Sequence, residues 1–200
     1  MPTSRPTRIG SAIDELRPGL HRWITPHPDW EPDAEPDGPA DWPQRVGSVL
    51  YEAGETVVLI DPLVTAWEQL DELLAGRPVA VVTTVHWHRR SRAEVRARYR
   101  AAEPVKVELL EIPGAGETIV WIPEHRALVP GDRLIGSESG RIRVCPPAWL
   151  GYLDTGLTHD RLREELRVLD PAELVLVSHG EPVVAGGRAA LESALMFSSS

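Results

Sequence analysis

The chain has 200 residues, 42% hydrophobic and 26% charged, a size and balance that suit one globular domain spanning 1–200. A net charge of −9 and a pI near 5.3 argue against a general nucleic-acid or membrane-surface binder. No apolar run reaches the ~20 residues of a membrane helix, the start lacks a secretory signal's apolar segment, and Cys145 is the only cysteine, so neither a disulfide framework nor a cysteine zinc cluster is available and a cytoplasmic protein is the expectation.

In chain order, "SAIDEL" and "LHRWIT" read as short strands. Residues 26–45 are rich in Pro, Asp and Trp and read as a long loop, because proline removes donors and fixes φ. "RVGSVLYEA" and "ETVVLIDP", parted at Gly54, predict an antiparallel pair. "TAWEQLDELLAG" carries Thr65 as an N-cap candidate, an apolar face and a Gly76 stop, the marks of a helix. "PVAVVTTV" predicts a buried strand, and the arginine-rich stretch after it a helix. "VKVELLEI", "ETIVWI" and "RALVPGD" read as strands, residues 137–157 as irregular with one strand, "THDRLREELRVL" as a helix capped by Thr158, "ELVLVSHG" as a buried strand and "GGRAALESALMF" as a closing helix. Antiparallel groups interrupted by βα units suit two packed sheets with helices outside.

Charge is uneven along the chain. Six acids lie between Asp29 and Asp41, and six arginines lie between Arg89 and Arg100. The two blocks are expected to face each other, with the acidic loop folded over the arginine side.

Polar residues collect where apolar strands end: Asp61 after "VVLI", His86 and His88 after "VAVVTTV", Asp132 after "ALVPG" and His179 after "LVLVS". Ligands gather at such strand ends in α/β proteins, and imidazole with carboxylate binds first-row metals. In this order, with "PGAGET" between, the set resembles the metallo-β-lactamase superfamily from about Val46 to Gly180. The resemblance implies an αββα sandwich of two mixed sheets, a metal cleft at the strand ends, and hydrolysis of esters, thioesters, amides or phosphodiesters with one or two metal ions. Matched position by position, His86 and His88 stand for the first pair of the HxHxDH motif, Asp132 for the bridging carboxylate, His179 for the last histidine and Asp61 for a supporting acid. Arg90 and Ser91 stand where the motif has its Asp and next His, and Ala115 stands where a PGH turn has its histidine.

Those departures imply one divalent ion, zinc, iron or manganese, on His86, His88 and Asp132 with His179 nearby, or no metal at all. Arginine stays protonated and cannot ligate, so Arg90 is expected to fill the second metal position and bond to Asp132. Arg89, Arg90, Ser91 and Trp87 form the expected ligand-binding rim, with Trp30, Trp42 and Trp87 as pocket walls. Asp132 and His179 are the candidates for catalysis. Glu117 is expected in a turn, His125 in a hairpin away from metal, His159 toward solvent and Cys145 in the core. Three functions follow: a member that has lost catalysis and binds a small anion or a partner; a mononuclear metal-dependent hydrolase; or a nuclease-like RNA-processing protein, which the acidity disfavours. The sequence leaves oligomeric state open.

Overall fold

The computed structural model describes residues 12–36, 38–103, 106–137, 141–151, 153, 155–167 and 172–196. One sheet has five strands in chain order: β1 (Asp14–Arg17), β2 (Leu20–Pro26), β3 (Arg45–Ala53), β4 (Thr56–Ile60) and β5 (Val79–Val82). All pairs are antiparallel except β4 with β5, which α1 (Trp67–Leu74) joins as a crossover. After β5 a turn leads into α2 (Arg92–Arg98). The second sheet contains β6 (Glu108–Ile112), β7 (Glu117–Ile122), β8 (Ala127–Val129) and, beyond a β9–β10 hairpin (Leu134–Gly136, Ile142–Val144) and α3 (His159–Leu166), β11 (Leu174–Val175). Its order is β11-β8-β7-β6, with β11 parallel to β8. Helix α4 (Gly187–Met196) closes the described chain.

Strand alternation sorts the apolar side chains into three layers. Val49, Tyr51, Val58 and Ile60 of the first sheet meet Val120, Ile122, Ala127 and Val129 of the second, forming the core between the sheets. The opposite phase of the first sheet, Leu50, Val57 and Leu59, packs under Leu70 and Leu74 of α1 and Val95 of α2. The outer phase of the second sheet, with Ile119, Leu128 and Val175, packs under Leu162 and Leu166 of α3 and Leu191 of α4. The result is the expected αββα sandwich. Among the described residues no helix is long and apolar enough to cross a membrane.

Several local expectations need correction. Helix α1 begins after Ala66 with no side-chain cap, and Thr65 is exposed. The α1 stop is made one residue early, by Ala75 at φ 49, with Gly76 also left-handed at φ 76. Thr158 does cap α3, accepting a hydrogen bond from the Arg161 N–H. The one strand expected in residues 137–157 is β10, whereas β9, Leu134–Gly136, lies outside the expected strands. The run "ELVLVSHG" makes only two ladder residues, Leu174 and Val175, although Leu176 and Val177 are buried and the Leu176 N–H still donates to Leu128 O.

Candidate metal centre

Four strands deliver the site from their C-terminal ends. Asp61 follows β4, His86 to Ser91 follow β5, Gly131 and Asp132 follow β8, and Ser178 and His179 follow β11. Two non-glycine residues there take positive φ, Asp61 at 46° and Arg90 at 37°. Such backbone costs of order 1–3 kcal/mol each and persists only where its surroundings over-determine it.

Donor atoms of His88, Asp132 and His179, all buried, lie within 4.8 Å of one another. Asp132 Oδ1 is 3.1 Å from His88 Nε2 and 3.2 Å from His179 Nε2, within ion-pair reach of both although neither contact has good hydrogen-bond alignment. A buried carboxylate oxygen facing two imidazole nitrogens fits a cation bound by all three. The donor set, two imidazoles and a carboxylate, also suits one divalent ion.

Two of the three are oriented from behind, His88 by Asp61 and Asp132 by the Trp87 indole, whereas His179 Nδ1 has no hydrogen-bond partner among the described residues. His88 Nδ1 lies 2.9 Å from Asp61 Oδ2, and the Thr84 N–H and hydroxyl both donate to the same carboxylate. The acid fixes the proton on Nδ1 and turns Nε2 toward Asp132. Burial opposes the charged form of His88, but Asp132 and Asp61 outweigh it and raise its pKa to about 9. Burial opposes ionisation of Asp132 too, and His88 with His179 reverses that and holds it well below the usual carboxylate range. Burial lowers His179, and Asp132 only partly offsets this.

Glu117, expected in a turn, is the first residue of the strand read at "ETIVWI". Its buried carboxylate accepts from the N–H groups of Gly131 at 3.1 Å, Asp132 at 2.7 Å and Arg133 at 2.9 Å. Burial and the neighbouring Asp132 push its pKa to about 7. Glu117→Ala would strip three buried donors, each worth about 1–3 kcal/mol when left dry. A loss of at least about 2 kcal/mol in urea unfolding is expected; an unchanged midpoint would remove Glu117 from the scaffold of the site.

Arg90 does not bond to Asp132. Its Nη1 donates to Gly47 O at 2.7 Å and Asp61 O at 2.8 Å, and its Nη2 to Ser178 Oγ at 2.6 Å. It therefore ties β3 and the end of β4 to the turn that carries His179. The Gly47 N–H to Ser178 O bond, the Val46–His179 bridge and Arg22, which donates to Val177 O and Gly180 O, hold the same turn. The partner of Asp132 Oδ2 is instead the Trp87 indole N–H, at 2.6 Å.

The remaining predicted residues divide. His86 is exposed, lies against the Trp87 ring at 4.5 Å and stands outside the converging three. Ser91 is buried away from the cleft, its hydroxyl accepting from the Val64 N–H. Arg89 is exposed and donates to His86 O. Ala115 is wholly buried in the core, and its carbonyl accepts from Arg133 Nε. His125 is buried in a 3₁₀ turn against Tyr51, and Cys145 is a core residue whose thiol burial pushes up to about 11. His159 is half-buried rather than solvent-facing, its Nε2 2.6 Å from Cys145 O.

The centre opens into a cavity of about 510 Å³ between the turns. From the 26–45 stretch, His27, Asp29, Pro39 and Trp42 line it, and Trp42 stands edge-on to His179 at 5.8 Å and to His27 at 5.1 Å. Trp30 does not line the cavity; its indole N–H braces Trp42 O. Trp149 closes the other side of His179 at 5.4 Å. On the arginine helix, Arg98 pairs with Asp71 of α1 instead of the acidic loop. Arg133, fully buried, donates to Ala115 O and Trp149 O and sits 5.7 Å from the Trp87 ring centre.

Comparison with known proteins returned no matching family model and no matching curated protein. Solved structures do match. The DIM-1 metallo-β-lactamase superposes with a TM-score of 0.55 at 15% identity, covering 92% of this chain and 97% of that one. A metallo-β-lactamase from Erythrobacter litoralis gives a TM-score of 0.57 at 18% identity, covering 92% and 90%. VMB-1 gives 0.55 at 16%, covering 92% and 94%.

Proposed function

We propose that the metallo-β-lactamase fold of this chain carries a mononuclear divalent-metal centre on His88, Asp132 and His179, and that it hydrolyses a small, largely apolar substrate at a carbonyl or phosphoryl centre. The observation that carries the reading is the convergence of three buried donors, His88, Asp132 and His179, within 4.8 Å of one another. Three protein ligands facing a cavity is the pattern of catalytic sites, whereas structural sites close with four. Zinc, iron and manganese all accept such a donor set. A divalent ion held there supplies Lewis acidity, which polarises a substrate oxygen and makes water a stronger acid.

The chain's own groups prepare that chemistry. Asp61 keeps the His88 tautomer that leaves Nε2 free. Trp42 and Trp149 shield His179 from bulk water. Arg90 is committed to protein acceptors, which favours neutral or singly charged ligands over nucleic acid. A second reading is binding of a small anion without turnover, favoured by the two arginines, Arg90 and Arg133, that line the cavity.

Metal-stripped protein, loaded with zinc, manganese or iron and passed through gel filtration, should retain one equivalent. His88→Ala and Asp132→Ala should retain almost none, and His86→Ala, which removes no ligand, should retain far more than either. Retention of two equivalents, or of none by the unaltered chain, would overturn the metal reading. A loaded protein that turns over no ester, thioester or phosphodiester supports the second reading instead.

A further inference from the structure

Trp87 is a large apolar side chain left 38% exposed beside a buried centre. Burial does not account for its place, but its hydrogen bond does. The indole N–H is a donor only, and it is spent on Asp132 Oδ2 at 2.6 Å. The other oxygen, Oδ1, is then the one that faces His88 Nε2 and His179 Nε2. The ring is itself held. His86 meets it at 4.5 Å with the planes 80° apart, and the guanidinium of Arg133 lies 5.7 Å from its centre. Arg133 is anchored in turn by Ala115 O and Trp149 O, so its position is set by the core.

We infer that Trp87 is a positioning residue: it fixes which oxygen of Asp132 faces the imidazole pair and thereby sets the affinity of the centre for a divalent ion. The inference rests on the metal reading above. It gives His86 a part as well, as the exposed brace of Trp87 rather than as a ligand. Without the indole N–H, Oδ2 loses its donor and the carboxylate is free to turn. Both oxygens then compete for the cation, and the free energy stored in a single prepared arrangement is lost. Outer partners of metal ligands typically govern affinity by about 10–100-fold.

The test uses cobalt(II) on the full, metal-stripped chain, unaltered and as Trp87→Phe, which keeps an aromatic ring against His86 and Arg133 and deletes the N–H. Affinity is read by chelator competition, the visible d–d spectrum reports the ligand field, and thermal unfolding in chelator reports the fold. The expected result is affinity weaker by about 10–100-fold, an altered cobalt spectrum, and a similar unfolding midpoint. Trp87→Leu serves if Trp87→Phe does not fold, since the side chain lies at the cavity mouth. If the unaltered chain binds cobalt and both folded variants match it in affinity and spectrum, the positioning role is overturned while the metal centre stands. If the unaltered chain binds no cobalt, the metal reading fails and the role of Trp87 falls with it.

Discussion

Arg90→Ala is expected to destabilise the protein by about 2–5 kcal/mol, because each buried acceptor left without its donor costs about 1–3 kcal/mol. The acceptors orphaned are Gly47 O and Ser178 Oγ, one from each sheet, whereas Asp61 O keeps the Ser48 hydroxyl. For a chain of this size 1 kcal/mol shifts the thermal midpoint by about 2–4 °C, so a fall of about 4 °C or more should be measured by calorimetry. Arg90→Lys should recover little of it. A lysine ammonium is a point donor on a flexible stem, whereas these acceptors sit at the tines of a planar fork. A midpoint within a degree or two of the unaltered chain would mean that the staple between the sheets lies elsewhere. The effect should extend to the site, since Ser178 adjoins His179 and Asp61 orients His88.

In chelator, the protein should lose stability as pH rises from about 6.5 through about 9, the two ends of the His88 shift. The sign follows from linkage. The folded state holds the His88 proton more tightly than the unfolded state does. The stabilisation is therefore complete below the unfolded value and is lost as the folded group deprotonates. A shift of this size is worth about 3 kcal/mol, counted once although it appears again in the depressed Asp132. Glu117 acts with the same sign in a lower window, from its ordinary 4.5 to about 7, because burial favours its neutral form and ionisation strains the fold. Urea midpoints measured from pH 4 to 10 separate the two windows, and Asp132→Asn should flatten the upper one. Metal uptake follows the same proton. His88 must deprotonate at Nε2 to bind a cation, so affinity should climb up to about tenfold per pH unit until pH 9 and one proton should be released. Flat stability across the upper window, together with metal uptake that releases no proton, would show that His88 is neutral in the fold.

How much of this was legible beforehand depends on the range of the interaction. The apolar strand runs "RVGSVLYEA" and "ETIVWI" and the helical faces of α1 and α3 are local, and they appear where the sequence places them. Local patterning was ample for a sandwich, because a strand apolar on both faces must be covered on both. It failed where hydrogen-bonding partners are distant. Glu117 looks like a turn acid until the Gly131–Arg133 backbone arrives beneath it. A weak signal was present: it shares the phase of Ile119 and Trp121, the face that packs outward under the helices. Arg133, Thr84, Trp149 and Ser178 offered no signal, being ordinary polar or aromatic residues whose partners lie far along the chain.

The order of the strand-end residues, Asp61, His88, Asp132 and His179, was written in the sequence, and so was their chemistry as acids and imidazoles. Which of them converge was not. The paired histidines of "HWH" look equivalent on paper, yet the turn after β5 sends His88 inward and leaves His86 exposed. Arg90 turns its guanidinium toward backbone carbonyls rather than toward Asp132, and the tryptophan between the histidines takes that carboxylate. Residue type settles what a side chain can donate or accept. The direction it faces follows from backbone angles, such as the positive φ at Arg90 and Asp61, and those are imposed by packing two sheets against each other.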